Sequence, residues 1–212
     1  MKRALTGLFA LSLLGGAVGC GSYSTLDRAR TLDPGRVRLM PAIGAIGGAE
    51  SGGAGFAPRF EVALGYGARE NVEVFGKVWY GGFVGGTKVQ AIRSESAMDV
   101  ELSFAPALGW HWSDKLSFDL PILGGLNIGR NDQLVFAIRP SYIAWVDALG
   151  PGQPASFFQL GGTIGYWFQP ADFVALLPEV ALVGNLYATE GFSSPTGDGV
   201  GMQFLLGAAA LP

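Results

Sequence analysis

Asp99-Val100-Glu101-Leu102-Ser103-Phe104-Ala105-Pro106-Ala107-Leu108-Gly109-Trp110-His111-Trp112 is the stretch on which the fold turns. Val100, Leu102, Phe104, Pro106, Leu108, Trp110 and Trp112 share one face, and Asp99, Glu101, Ser103, Ala105, Ala107, Gly109 and His111 share the other. Strict alternation is the period of a β-strand, whose successive side chains point to opposite sides. Strands in soluble domains usually run about 5–6 residues. About 9–11 tilted residues cross a bilayer, so this run is long enough to do so.

The same period recurs outward in both directions and predicts ten strands: 36–47, 57–67, 72–81, 85–93, 98–112, 116–128, 133–147, 156–168, 173–185 and 199–210. The connections after the even-numbered strands are short, as in Ala68-Arg69-Glu70-Asn71 and Gln169-Pro170-Ala171-Asp172. Three of the others, 48–56, 148–155 and 186–198, are long and rich in Gly, Ser and Pro. Long loops at one end and short turns at the other are the layout of bacterial outer-membrane barrels. The expected fold is all-β: an antiparallel up-and-down transmembrane barrel of about ten strands, with eight to twelve admissible.

Face chemistry separates a membrane barrel from a soluble one. Phe60, Val62, Leu64 and Tyr66 form one face of their strand; Phe118, Leu120 and Ile122, then Phe136, Ile138 and Tyr142, continue it. Side chains this large on ten strands would overfill a small barrel if they pointed inward. The opposite face is charged, small or glycine and suits a narrow lumen. Trp79, Trp110, Trp112 and Trp145 near one end, with Tyr166 and Trp167 near the other, are read as two interfacial aromatic girdles.

Composition agrees. The chain has 34 Gly in 212 residues and only 15% charged residues, against averages of about 7% and 25%. No G-X-Y period is present, which excludes collagen, and 49% hydrophobic content excludes disorder. A net charge of −3 and a pI near 5.1 speak against nucleic acid as a partner. No phosphate loop, no G-x-S-x-G and no metal-spaced Cys/His cluster occurs, so neither cofactor nor metal is expected.

The N-terminus reads as a targeting segment. Met1-Lys2-Arg3 is followed by an apolar run to Val18, then by Gly19 and the single cysteine, Cys20. Ala17-Val18-Gly19-Cys20 resembles a bacterial lipobox, which implies cleavage after Gly19 and lipidation of Cys20. The expected organisation is a signal peptide over 1–19, a lipidated periplasmic tether over 20–35, and a barrel domain over 36–212. The alternation resembles that of bacterial outer-membrane β-barrel proteins over nearly the whole mature chain. That resemblance implies a Gram-negative outer-membrane location, outer-membrane lipid as partner and a monomeric state, with the anchor on the periplasmic side.

The inward face carries Arg38, Arg59, Lys77, Lys88 and Arg139, facing Glu61, Glu73, Asp99, Glu101, Asp119 and Glu179. Isolated charges are costly in a low-dielectric interior. An ion-pair lattice filling the lumen is therefore expected over an open, porin-like path for small polar solutes, with glycines making room for the long side chains. Two other readings stay open. His111-Trp112-Ser113 resembles the His-x-Ser pair of outer-membrane lipid A deacylases, which implies a lipid hydrolase with Asp119 or Asp114 orienting His111. A soluble periplasmic β-sandwich lipoprotein is the third. Neither displaces the non-enzymatic barrel as the leading expectation.

Overall fold

The computed structural model describes residues 22–211, apart from 51–52, 95–98, 113, 129–130, 147–155 and 189–199. Twelve strands follow in order: β1 (Val37–Glu50), β2 (Gly53–Arg69), β3 (Val72–Trp79), β4 (Gly82–Ile92), β5 (Val100–Phe104), β6 (Ala107–His111), β7 (Lys115–Asp119), β8 (Ile122–Asn127), β9 (Gln133–Trp145), β10 (Ser156–Ala171), β11 (Val174–Ala188) and β12 (Val200–Ala210). Every pairing is antiparallel. β1 pairs with both β2 and β12, so the sheet closes on itself. No helix occurs among the described residues.

The twelve strands make ten staves. Two of the predicted strands, 98–112 and 116–128, are each split by a proline. β5 and β6 are separated at Ala105-Pro106, and β7 and β8 at Leu120-Pro121. Proline has no N–H to give to a ladder, and the two breaks lie side by side. Ala105 N–H donates to the Pro121 carbonyl at 2.8 Å, and Thr87 N–H to the Pro106 carbonyl at 3.1 Å. β4 bridges the first break by pairing with β5 and β6, and β9 bridges the second by pairing with β7 and β8. The barrel is thus closed and has ten staves.

The faces follow the alternation. Phe60 is 61% exposed, Leu108 67% and Ile138 58%, whereas Arg59, Glu73, Lys88 and Glu101 are wholly buried. This inside-out distribution is the reverse of a soluble domain, where Lys, Glu, Arg and Asp are almost never fully buried. A soluble β-sandwich has no use for an apolar belt that runs around the whole outer wall.

Two expectations about connections are corrected. The 48–56 segment is not a long loop: β1 reaches Glu50, β2 starts at Gly53, and these two residues pair. The segment lacks apolar alternation, which hid its strand character. The described part of the expected tether does not hang free in the periplasm either. Residues 22–32 run inside the barrel, with Ser22, Tyr23, Ser24, Leu26, Asp27, Ala29, Thr31 and Leu32 buried. Cys20 and the segment 1–19 lie outside the described residues.

The turn Asp33-Pro34-Gly35-Arg36 connects this strap to β1. Arg36 N–H donates to the Asp33 carbonyl at 3.0 Å, and Gly35 has φ of +78°. Proline at the second position and a left-handed glycine at the third make a type II turn. Gly67 of β2 closes over it, exchanging hydrogen bonds with Gly35 and Arg36 at 2.8 and 2.9 Å. A Cβ at Gly67 would overlap the Asp33 backbone. The strap therefore runs down the lumen towards the short-turn end, reverses, and climbs as β1.

Candidate functional site

The lumen and the strap inside it form one polar structure. An extended segment away from a sheet leaves its backbone N–H groups without ladder partners, and each would cost about 1–3 kcal/mol if buried unsatisfied. Wall side chains receive them instead. Tyr23 N–H donates to Gln203 at 2.7 Å, and Thr25 and Leu26 N–H to Glu179 at 2.8 and 3.1 Å. Ala29 N–H donates to Gln133 at 3.0 Å, Thr31 N–H to Gln90 at 3.1 Å and Leu32 N–H to Glu73 at 3.0 Å. The acceptors come from β12, β11, β9, β4 and β3, all at inward positions of the alternation.

Charge is organised in tiers along the strap. In the upper tier, Glu61 accepts from Arg59 Nε at 2.8 Å, Gln203 Nε2 at 2.7 Å, and the Ser22 and Ser24 hydroxyls at 2.9 and 2.6 Å. Lys77 Nζ donates to the Ser22 hydroxyl at 2.7 Å and to the Ser24 carbonyl at 2.6 Å, and lies 3.6 Å from Glu61. In the lower tier, strap residue Asp27 and wall residue Glu73 share two cations. Arg38 lies 2.6 Å from Asp27 and 2.7 Å from Glu73, and Lys88 lies 2.9 Å from each. Beside them strap residue Arg30 meets Glu101 at 2.6 Å. Leu26 packs with Met40, Leu177, Leu205 and Trp167 in an apolar plug between the tiers.

The eleven lattice candidates divide as follows. Arg38, Arg59, Lys77, Lys88, Arg139, Glu61, Glu73, Glu101 and Glu179 are buried on the inner wall. Asp119 lies 3.8 Å from Arg139 and accepts from the Ser117 hydroxyl at 3.3 Å and from that of Ser141. Asp99 accepts from Ser94 near the short-turn end and stands apart from the two tiers. Sequence reasoning missed the strap itself, on which Glu101 and Glu179 depend for Arg30 and for the Thr25 and Leu26 amides.

The aromatic set also divides. Trp112 is exposed, and Trp110 and Tyr166 are half-buried on the outer wall. Trp79 and Trp167 are buried on the lumen side, and Trp145 has the inward parity of Arg139, Ser141 and Ile143. Trp167 takes Arg28 and Arg38 over its ring at 5.1 and 5.9 Å, Trp79 takes Arg59 at 5.5 Å, and Trp145 takes Lys115 at 4.4 Å. These three serve as cation-π partners inside and do not belong to an outer girdle. The neighbours Val78, Tyr80 and Tyr166 already occupy the outward positions beside Trp79 and Trp167.

A pocket of ≈ 400 Å³ opens at the short-turn mouth, lined by Arg28 and Leu32 of the strap with Asp33, Phe173 and Leu211. Above it, beside Ser22–Asp27, little space remains. A cavity of ≈ 40 Å³ lies between Ser24–Asp27 and Phe75, Pro121 and Arg139, and one of ≈ 20 Å³ lies above it by Lys77, His111 and Ser117. A water needs about 10–15 Å³ on this measure, so each holds a few waters at most. His111 is turned into the lumen, its ring 5.5 Å from that of Trp79. Ser113 lies outside the described residues. Among the described residues, no group of three His, Cys, Asp or Glu side chains could hold a metal ion.

No family model and no curated protein matches the chain. Solved structures do. Neisserial surface protein A is 10% identical, with 82% of this chain and 96% of that chain covered and a TM-score of 0.46. OprG of Pseudomonas aeruginosa is 9% identical, with coverages of 88% and 99% and a TM-score of 0.40. Ail of Yersinia pestis is 12% identical, with coverages of 84% and 99% and a TM-score of 0.34. At these values the likeness assigns no relative.

Proposed function

We propose that this chain is an outer-membrane β-barrel lipoprotein, exported by its leader and lipidated on Cys20, whose lumen is sealed by its own N-terminal strap. The observation that carries this reading is the pairing of an apolar outer wall with a lumen filled by residues 22–32. Closure gives the backbone of every stave a partner, as hydrocarbon requires. The role is structural, a monomeric scaffold with its long connections outside. A narrow porin-like path for small polar solutes would require the strap to leave.

A lipid-hydrolase reading through His111 and Ser113 gains no support from the geometry. His111 faces the strap, and the outward side chains on either side of it, Trp110 and Trp112, face the belt where a lipid chain would lie.

Reconstitution into phospholipid vesicles tests both parts. The refolded chain is expected to stay with the vesicles through an alkaline carbonate wash and to leave them tight to small sugars. Release by carbonate overturns the membrane reading. Sugar entry overturns the sealed lumen.

A further inference from the structure

The wall grips the strap through main-chain N–H groups and through its Ser22, Ser24, Asp27 and Arg30 side chains, and it holds the strap in one direction. The type II turn at Asp33–Arg36 fixes the lower end at the short-turn mouth. From there the strap rises antiparallel to β1 until Tyr23 meets Gln203, whose β1 partner is Ile46. Above Ile46, β1 continues for four residues to Glu50. Below it, nine residues lead back to the start of β1 at Val37.

These positions limit what the preceding residues can reach. At about 3.3 Å per residue and a tilt of about 40°, the long-loop rim lies about 10 Å above Tyr23 along the barrel axis. The short-turn rim lies about 23 Å below. Three extended residues span at most about 10 Å. Cys20, three residues before Tyr23, can therefore be level with the upper rim and cannot reach the lower one while the strap is seated. The lumen below offers no return path, because Leu26, Met40, Leu177 and Trp167 are packed there with no exposure.

We propose that the lumen is a polypeptide-binding channel that threads the mature N-terminus through the barrel and delivers it to the long-loop face. The inference rests on the membrane-barrel reading above and replaces the expected periplasmic anchor with one on the opposite face. An acyl chain on Cys20 would then belong to the outer leaflet, reached over the rim. A seated strap and a lipid in the inner leaflet are mutually exclusive.

Single-cysteine labelling in whole cells tests it. The chain is exported with a non-lipoprotein signal that leaves residue 21 as the mature N-terminus, and the variant Gly21→Cys is probed with a membrane-impermeant maleimide. Tyr80→Cys in the β3–β4 turn and Asn71→Cys in the β2–β3 turn report the two faces of the barrel. Labelling of the 80 and 21 variants in intact cells, with the 71 variant labelled only after the outer membrane is permeabilised, is the expected result. If the 21 variant labels only after permeabilisation, or not at all, while the 80 and 71 variants behave as expected, threading is wrong and the barrel reading stands. If the 71 variant labels in intact cells and the 80 variant does not, the barrel is inverted and the orientation beneath the proposal is wrong.

Discussion

Lys88 holds two carboxylates at once, Asp27 of the strap and Glu73 of the wall, with no exposure to solvent. Breaking a buried pair by removing one partner costs about 3–5 kcal/mol, because the other charge is left buried. Lys88→Met is therefore expected to lower the unfolding free energy in micelles by about 3 kcal/mol, read from urea titrations. Arg93 and Asp33 form a pair of the same length, 2.9 Å, but with side chains 29% and 68% exposed. Exposed pairs are worth at most about 1 kcal/mol, so Arg93→Ala should leave the midpoint almost unchanged. Equal effects from the two variants would show that the lattice carries no particular weight. Most lattice residues were legible because parity alone assigns them: Glu101 must face opposite to Leu102. Parity also places Trp79 and Trp167 inside, beside outward Val78, Tyr80 and Tyr166. Reading them as a girdle set a general preference of Trp for interfaces against a local rule, and the local rule prevailed.

At the scale of single elements, lipid-facing and lumen-facing positions of one strand make opposite demands. Ile138 of β9 lies on the outer wall and Ala137 on the inner. An arginine at the lipid-facing midplane of a barrel costs about 2–4 kcal/mol. Ile138→Arg is expected to lose that much folding free energy in bilayers, measured by reversible refolding into vesicles, while Ile138→Leu loses almost none. A neutral result for arginine would place this face against water. The strap was the least legible element. It has no apolar alternation, and its Ser, Thr, Asp and Arg residues look like those of a solvated leader. Its sequence is polar because the lumen is polar, and composition cannot separate the two environments. The single local signal was Pro34-Gly35, a turn that a free tether does not need. Gly35→Val forces a β-branched residue into left-handed backbone. Trypsin should then cut the strap faster after Arg28 and Arg30, which the parent barrel protects. An unchanged cleavage rate would mean that the turn does not hold the strap. The split staves were hidden for a related reason, since Pro106 and Pro121 keep the alternation even where they interrupt the ladder.

Across the whole molecule, three features combine: a closed ten-stave wall, an apolar outer belt and a lumen occupied by the chain's own N-terminal segment. The Gly-rich, charge-poor composition follows from that division. Apolar residues cover the outside, the few charges gather within, and inward glycines such as Gly65 leave space that Glu73, Arg38 and Leu32 occupy. Alternation carried the architecture; the state of the lumen needed three-dimensional pairing, because the partners of Glu101 and Glu179 lie 71 and 154 residues away in sequence. Planar-bilayer conductance tests the sealed lumen most directly, comparing the mature chain with a variant lacking residues 22–32, both shown to be folded by heat-dependent gel migration. The mature barrel is expected to be electrically silent and the strapless barrel to open in discrete steps. A mature barrel that conducts as well as the strapless one would contradict the account.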